Sequence, residues 1–518
     1  MTEAELKSNM GNRLWRLNNL YYITDEQGRH VKFQCRPVQL LLFHALHWLN
    51  IILKSRQHGI TTFCCIMMLD MCLFNSNTKA GIIAHVQRAA EEIFRDKVKY
   101  PYSQLPASLR EALPPVKNDA GQLILANNSS LMVATSLRSG TYQWVHVSEY
   151  GKICAKTPER AIEIQSGTLE TVHEGGFVTI ESTAEGSAGD FYDRCKDAEK
   201  LKLKGVELGP MDYRFHFFPW YMDAKNTTDA SYVEIPADVA SYLDKLQAGL
   251  GIELTDGQRA WYAQKKKSLK LLIYREHPST PDEAFKASVE GAYYGQEMAI
   301  AREMGRICRV PYDRYAKVHT IWDLGHKHTA VWFVQFIGQE IRLIDFYYDA
   351  EGVGMPEYAL MLQDRRYVYG DHYAPWDVSA EGPNGRSMQT GKDLVEVARD
   401  AGISFKIVER CSIEAGIKTA QEIITRCWFD IEKCDYGIKC LEMYRAKWND
   451  NTGVYEDRPL HDWASHGADA FRYLAIVYRY AAAMGERVGV WKQDVPQKHG
   501  KPRPRYNDNP AKGLRALV

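Results

Sequence analysis

The sequence predicts an α/β protein whose two halves carry different chemistries. An apolar run at residues 48–53 leads into a glycine-containing loop and then into a second apolar segment, which is the order of strand, phosphate-binding loop and helix. Far downstream, three aspartates fall where strands and a helix would bring carboxylates together around metal ions. We therefore expect an N-terminal P-loop ATPase domain of the ASCE, RecA-like class and a C-terminal ribonuclease H-like nuclease domain.

Length and composition indicate a multidomain intracellular enzyme. The chain has 518 residues, 45% of them hydrophobic, which is too long for a single core. The 11 cysteines are odd in number and include no CxxC pair, so we expect reduced thiols and neither disulfides nor a zinc site. The formal net charge is zero, so any contact with DNA must use a local basic surface.

No segment of the sequence is typical of a membrane protein. The apolar runs at residues 39–53 and 60–74 are short and contain His44, His47 and Asp70, so we expect core elements. The N-terminus is polar and charged, unlike a signal peptide. We predict four regions: an ATPase domain at 1–234, a linker or lid subdomain at 235–310, a nuclease domain at 311–485 and a basic flexible tail at 486–518.

The loop at residues 53–62 resembles the GxxxxGK[ST] pattern in a shifted form. Aligning Gly59 and Thr61 with that pattern puts Ile60 at the lysine position and Lys54 at the first glycine. We expect Lys54 to reach the β and γ phosphates of ATP, Gly59 to allow close backbone approach, and Thr61 to hold Mg²⁺. The expected nucleotide-binding residues of the loop are Lys54, Ser55, Arg56, Gln57, Gly59, Thr61 and Thr62.

Further segments support an ATPase. Residues 144–149 form an apolar strand that ends at Glu149, the position at which a carboxylate polarises the attacking water. Ser148 stands where an aspartate usually supports Mg²⁺, so we expect Thr61 and water to hold the ion. A second strand, at residues 176–181, runs into Ser182 and Thr183, which are suited to sensing the γ-phosphate.

Three other side chains are candidates for the same site. Gln39, upstream of the loop, is a candidate for reading adenine, although a surface glutamine at a helix start is an equal alternative. Arginine commonly stabilises the charge of phosphoryl transfer, and either Arg56 or Arg138 could do so here. In a ring, Arg138 would act on the ATP of a neighbouring subunit and Arg56 in its own site. A surface arginine remains the alternative for each.

The second half has the element order of a ribonuclease H-like sheet. The pattern predicts these elements: strands 317–323, 328–337 and 340–349, a helix at 355–366, a strand ending at Asp377, a helix at 391–401, a strand at 403–408 and a helix at 463–482. Asp323, Asp377 and Asp469 should meet at one edge of the sheet. There they could bind two Mg²⁺ or Mn²⁺ ions about 4 Å apart. Asp462 and His466 share a helix face with Asp469 and are supporting candidates.

Two basic regions could contact DNA. Lysines at residues 265–267 lie in a predicted helix of the lid subdomain, and a solvated helix face is an equal alternative. The tail is basic, rich in proline and glycine and lacks apolar periodicity, so we expect a disordered or partner-bound extension.

Over residues 30–480 the sequence resembles the large terminase subunits of tailed bacteriophages. The segments that carry the resemblance are residues 54–62, 146–149, 181–184, 277–285 and 461–473. The resemblance implies that Lys54 and Thr61 bind phosphate and Mg²⁺, that Glu149 is the catalytic carboxylate, and that residues 182–184 couple hydrolysis to movement. It also implies that Asp323, Asp377 and Asp469 hold the nuclease metals.

The resemblance further implies the biological setting. Family members use ATP to move double-stranded DNA as a ring, usually a pentamer, docked on the capsid portal protein, and they cut concatemeric DNA. A small terminase subunit selects the DNA, and the host cytoplasm is the expected location. Two alternatives stay open: a helicase-nuclease of DNA repair or defence, and an adaptor with weakened catalysis, to which Ile60 and Ser148 would point.

Overall fold

The structure is a computed structural model that describes residues 8–137, 140–285, 291–325, 327–378, 393–449 and 454–483. The chain divides into two compact units, Met1–Val289 with Trp448–Val454 and Glu290–Lys447 with Tyr455–Val518. The predicted tail at 486–518 lies outside the described residues.

The first unit is an α/β structure around an eight-stranded sheet. The sheet consists of β3 (Leu49–Lys54), β4 (Lys79–Ile83), β5 (Pro115–Asn118), β6 (Gln122–Leu125), β7 (Ser130–Ala134), β8 (Tyr142–Ser148), β9 (Val172–Ser182) and β10 (Tyr213–Phe218), while β1 (Tyr22–Thr24) and β2 (His30–Lys32) form a separate two-stranded ribbon. Its helices are α1 (Arg13–Leu20), α2 (Pro37–Ala45), α3 (Ile60–Phe74), α4 (Gln87–Phe94), α5 (Tyr100–Ser103), α6 (Ala107–Ala112), α7 (Tyr150–Lys156), α8 (Pro158–Glu163), α9 (Asp190–Leu203), α10 (Ala237–Leu250), α11 (Asp256–Leu269), α12 (Ile273–Glu276) and α13 (Pro281–Ala284).

The strand order of this sheet confirms the P-loop ATPase fold. The order is β10-β3-β9-β8-β4-β7-β6-β5, and the strands from β10 to β7 run parallel. Strand β9 therefore lies between β3, which enters the loop, and β8, which ends beside Glu149. This interposed strand defines the ASCE class. Because the carboxyl ends of parallel strands share one edge, the predicted site segments meet there.

The apolar runs of the sequence form the core of this unit. They correspond to α2, β3 and α3, of which β3 and α3 are almost entirely buried. Asp70 is the exception on α3: its fully buried carboxylate accepts hydrogen bonds from Arg16 at 2.7 and 2.9 Å and from the Tyr21 hydroxyl at 2.8 Å. Within the described ranges, no helix is both long and apolar enough to cross a membrane. The 11 cysteines carry free thiols.

Helices α10, α11 and α12 share a small core of their own inside the first unit. Trp220 is fully buried there and stacks on Tyr262, with ring centroids 4.9 Å apart. The other buried members of the cluster are Val239, Leu243, Leu246, Leu254, Ala263 and Ile273. This region covers most of the segment for which a linker or lid is predicted.

The second unit contains a seven-stranded mixed sheet. Its strands are β11 (Ile307–Cys308), β12 (Val318–Leu324), β13 (Thr329–Ile337), β14 (Glu340–Asp349), β15 (Tyr369–Ala374), β16 (Phe405–Ile407) and β17 (Cys427–Asp430), and β18 (Ala446–Asn449) and β19 (Val454–Pro459) form a separate ribbon. The helices are α14 (Gly295–Glu303), α15 (Met355–Asp364), α16 (Leu394–Asp400), α17 (Ile413–Ile424), α18 (Asp435–Met443) and α19 (Trp463–Ala483).

The order of this sheet, β11-β17-β14-β13-β12-β15-β16, confirms the ribonuclease H-like fold. Strands β12, β13 and β14 form an antiparallel meander, while β15 pairs parallel to β12 and β16 pairs parallel to β15. Helix α19 packs on β12 and β13 through Ala468, Phe471 and Ala475, which are fully buried.

Two details differ from the sequence prediction. Strand β15 ends at Ala374, and Asp377 lies in the following turn Trp376–Val378, because Pro375 has no amide hydrogen with which to continue the ladder. The second unit begins at residue 290, whereas residue 311 is predicted, because β11 pairs with β17 and α14 packs into the same core.

Candidate active sites

The phosphate loop between β3 and α3 has the tight shape that its glycine predicts. Gly59 adopts a left-handed conformation with φ 69°, and a Cβ atom there would lie 2.8 Å from Nε2 of Gln39. Gln57 also has a positive φ of 70°. Helix α3 begins at Ile60, so its first amides have no acceptor within the helix and point towards the loop. These amides are available to an anionic group.

Contacts from other segments hold the first residues of the loop. The Ser55 amide donates to Phe218 O at 2.8 Å and the Arg56 amide donates to Glu276 O at 3.0 Å. The Ser55 hydroxyl lies 3.1 Å from Nδ1 of His277. The entrance of the loop is therefore fixed by β10 and by α12, and these two amides are already engaged within the protein.

Lys54 supplies the positive charge of the loop, because Ile60 stands at the position where the motif has lysine. Ile60 is 1% exposed and belongs to the apolar core. The Lys54 ammonium is 3.4 Å from Oε1 of Glu149 and 3.1 Å from Oε2 of Glu181. Burial lowers the pKa of Lys54, but the carboxylates of Glu181 and Glu149 more than offset this and raise it above its ordinary value. Lys54 is therefore a cation at the mouth of the loop.

Glu149 is positioned as an ionised carboxylate. It follows β8 in a left-handed conformation, with φ 57°, and precedes α7. Lys152, one turn along α7, lies 3.1 Å from its Oε2. Burial raises the pKa of Glu149, yet the charges of Lys54 and Lys152 outweigh burial and hold it well below its usual range. Lys152 has no predicted role, because a lysine one turn into a helix carries no distinguishing motif.

Glu181 joins this group from the neighbouring strand. Its Oε1 accepts a hydrogen bond of 2.6 Å from the Thr61 hydroxyl and one of 2.8 Å from the Ser148 hydroxyl. The side chain is fully buried. Glu181 is not among the site residues that the sequence predicts, although an acid at the end of an apolar strand is a usable signal.

The end of β9 leads into two buried hydroxyls. Ser182 is fully buried and Thr183 is 1% exposed. In the described part of the chain, neither hydroxyl oxygen has a hydrogen-bond partner. Buried polar atoms normally find partners, so these hydroxyls suit a polar ligand. An open cavity of about 280 Å³ lies nearby, and its lining includes Thr61, Ser148 and Glu149.

The other predicted nucleotide residues have different surroundings. The Gln39 amide donates to His58 O at 3.1 Å and to Gly59 O at 3.0 Å, and its carbonyl accepts from the Arg36 amide, so Gln39 braces the loop in this structure. The Arg56 guanidinium is ion-paired with Glu276. Thr62 lies in the first turn of α3. Arg138 falls outside the described residues.

In the second unit, three aspartates converge at one end of the sheet. Asp323 lies near the end of β12, Asp377 lies in the turn after the parallel strand β15, and Asp469 lies on α19. Burial raises the pKa of Asp323 to about 6; His466 opposes the shift, and the charges of Asp469 and Asp377 add to it. The carboxylates are therefore close enough to repel one another.

Protein partners orient two of these carboxylates. Oδ2 of Asp323 is 3.1 Å from Nδ1 of His466. Oδ1 of Asp469 accepts hydrogen bonds of 3.1 Å from the Tyr444 hydroxyl and from Arg472. Within the described ranges, no three His, Cys, Asp or Glu side chains form a complete set of metal ligands. Asp323 and Asp469 face protein donors in this structure, and the metal centre stays a prediction.

Asp462, a candidate for supporting the metal site, contacts other groups in the structure. Its carboxylate forms a buried ion pair with Arg445 at 3.0 Å and accepts a hydrogen bond from the amide of Ala464 at the start of α19. Asp462 is thus committed to the structure of the helix start. Of the two supporting candidates, His466 is the one that contacts an aspartate of the cluster.

The donor chemistry of both sites fits a hard divalent cation. Hydroxyl and carboxylate oxygens are the ligands that Mg²⁺ and Mn²⁺ prefer, and they surround Thr61 in the first unit. In the second unit, the mutual repulsion that acts on Asp323 would be relieved by a cation bound among the three aspartates.

Comparison with known proteins gave structural matches only. No family model matches the chain, and no curated protein matches its sequence. The large terminase of bacteriophage HK97 matches with a TM-score of 0.43 and 12% identity, over 92% of this chain and 100% of that one. The ADP complex of a large terminase from a thermophilic bacteriophage matches with a TM-score of 0.28 and 13% identity, over 85% and 94%. The P22 large terminase nuclease domain matches with a TM-score of 0.26 and 15% identity, over 34% and 90%. The chain resembles the large terminases of bacteriophages in its sequence motifs, and the solved structures that match it are large terminases of bacteriophages.

Proposed function

We propose that this chain is a phage DNA-packaging motor, a large terminase subunit that moves double-stranded DNA into the capsid with ATP and cuts it with a metal-dependent endonuclease. The observation that carries the proposal is the joining, in one chain, of a P-loop site built from Lys54, Glu149 and Thr61 with a ribonuclease H-like sheet carrying an aspartate cluster. An adaptor without catalysis would have no need of these buried charges.

In the ATPase site, Glu149 is the base. Its carboxylate remains ionised at neutral pH and can take a proton from the water that attacks the γ-phosphorus. The new bond forms between the water oxygen and phosphorus, and the bond to the β–γ bridging oxygen breaks. Lys54 and the first amides of α3 neutralise the phosphates, and Ser182 and Thr183 sense their loss. Mg²⁺, which Thr61 would help to hold, supplies further charge neutralisation.

In the nuclease site, Asp323, Asp377 and Asp469 would hold Mg²⁺ or Mn²⁺. When bound, the ions supply an activated water and stabilise the leaving oxygen of the phosphodiester. His466 fixes the orientation of Asp323, while Tyr444 and Arg472 fix that of Asp469. Because protein contacts hold both carboxylates, a shift of these side chains should accompany metal loading.

The partners follow from the packaging role. We propose that the chain assembles as a ring, of the pentameric kind, on a capsid portal protein in the host cytoplasm and receives DNA through a small terminase subunit. In such a ring, Arg138 is the candidate to reach a neighbour's ATP. Arg56 would have to leave Glu276 to act in its own site.

Movement along duplex DNA can be tested with a triplex. The Asp323→Asn variant, which should not cut, is mixed with a duplex carrying a labelled third strand, and ATP-dependent release of that strand is measured. We expect release that requires ATP and is lost in the Asp323→Asn/Glu149→Gln double variant. ATP turnover that does not respond to duplex DNA and displaces no third strand would contradict the translocation proposal.

A further inference from the structure

The nucleotide site lacks a carboxylate at the place where P-loop ATPases usually have one. Mg²⁺ in these enzymes is generally held by the loop Ser or Thr and by an aspartate near the end of the strand that precedes the catalytic carboxylate. In this chain, the residue just before Glu149 is Ser148. A serine hydroxyl carries no charge, so another group must supply the negative charge that a divalent cation requires.

The next strand provides a carboxylate at the same level. Strands β8 and β9 are parallel neighbours, and Ser148 is the register partner of Glu181. Register partners in adjacent strands point to the same face of a sheet, so Glu181 faces the loop as Ser148 does. The longer side chain of glutamate spans the distance between the strands.

The contacts of Glu181 are those required of a group that supports a cation beside Thr61. Its Oε1 accepts hydrogen bonds from the Thr61 and Ser148 hydroxyls at 2.6 and 2.8 Å. Its Oε2 lies 3.1 Å from the Lys54 ammonium. Because the Thr61 hydroxyl donates a hydrogen bond to Glu181, the lone pairs of the Thr61 oxygen are available to a cation. One carboxylate thus orients the loop threonine and the loop lysine.

We infer that Glu181 replaces the missing aspartate and, with Thr61 and Ser148, holds the Mg²⁺ of the bound nucleotide. The supporting carboxylate has moved from β8 to β9, and Ser148 has become a hydrogen-bond donor to it. This inference rests on the proposed ATPase function. It assigns a cation-supporting role to a residue that would otherwise count only as a buried counter-ion of Lys54.

Binding measurements separate these two roles. The full chain is titrated with a fluorescent ADP analogue in Mg²⁺ and in EDTA, and the ratio of the two dissociation constants is determined. We expect Mg²⁺ to tighten binding to the natural protein at least about tenfold, which corresponds to about 1.4 kcal/mol. Glu181→Gln should bring the ratio close to one, because binding in Mg²⁺ weakens more than binding in EDTA. A mere counter-ion of Lys54 would instead change both values equally.

A rescue variant makes the test independent of folding effects. Ser148→Asp combined with Glu181→Gln returns a carboxylate to β8 and should restore most of the Mg²⁺ dependence. Glu181→Asp keeps the charge beside Lys54 but shortens the reach, so it should lower the ratio and preserve the melting temperature. A ratio that is unchanged in Glu181→Gln and in Glu181→Asp would overturn the inference while leaving the ATPase proposal standing. Failure of the natural protein to bind ADP in either buffer would overturn both.

Discussion

At the scale of single residues, Gly59 decides whether the loop can form. Its φ of 69° is costly for any residue with a side chain, and Gln39 fills the space that a Cβ atom would need. Gln39 in turn bonds to two loop carbonyls. Gly59 and Gln39 therefore together determine the path of the loop backbone.

Gly59→Ala should weaken both nucleotide binding and stability. We expect at least a tenfold loss of ADP affinity, because the loop must shift away from Gln39, and a stability loss of about 1–2 kcal/mol from the left-handed backbone alone. The measurements are a nucleotide titration and a thermal melt. Gly205→Ala is the matched control: Gly205 has φ 63° but nothing within 4 Å of the added atom. If both variants bound ADP normally, the role assigned to the Gly59–Gln39 contact would be wrong.

Sequence patterns indicate site residues when one local segment carries the whole signal. Glu149 and Thr61 stand at fixed offsets from apolar runs, and in the structure both line the cavity beside the phosphate loop. Glu181 depends instead on the register between two strands that are more than thirty residues apart in the chain. That register is a tertiary property, so the sequence alone does not reveal the contact.

At the scale of elements, a buried charge cluster joins α3 to α1. Asp70 on α3 is fully buried and accepts both Arg16 bonds together with the Tyr21 hydroxyl. Helix α3 follows directly on the phosphate loop, so this cluster also fixes the helix whose first turn adjoins the loop. The cluster therefore stabilises the packing of α3 against α1 and has no role in the proposed chemistry.

Asp70→Ala should strongly destabilise the first unit. Removing one partner leaves the Arg16 guanidinium buried without its counter-ion, which typically costs about 3–5 kcal/mol. The measurement is the urea midpoint of the first unfolding transition. Asp25→Ala is the control, because Asp25 pairs with Arg29 at 2.7 Å on the surface, where ion pairs contribute little to stability. Equal midpoint shifts in the two variants would contradict the structural role of the Asp70 cluster.

Elements with uniform patterning are predicted well from the sequence, and irregular ones are not. The apolar strands β3, β12, β13 and β14 lie within a residue or two of their predicted bounds. Strand β15 is shorter than predicted because of Pro375, and no element is predicted for the segment that forms α17, β17 and α18. These last elements owe their positions to packing on β14 and α19, which no local pattern reveals.

At the scale of the whole molecule, two separate folds carry two separate charge arrangements. In the first unit, Lys54 lies between the carboxylates of Glu149 and Glu181 at the carboxyl ends of the parallel strands. In the second unit, neighbouring aspartates add to the rise in the pKa of Asp323. The residues named for each arrangement belong to a single unit. We therefore propose that ATP hydrolysis and DNA cutting reside in one chain but depend on different residues.

The most direct test measures both activities on the same samples. The natural protein, Glu149→Gln and Asp323→Asn are each assayed for ATP turnover and for cleavage of supercoiled plasmid with Mg²⁺ or Mn²⁺. We predict that Glu149→Gln loses at least about 100-fold of its ATP turnover and still cuts, whereas Asp323→Asn loses cutting to a similar extent and still turns over ATP. Loss of both activities in either variant, or cutting that survives Asp323→Asn, would contradict the claim.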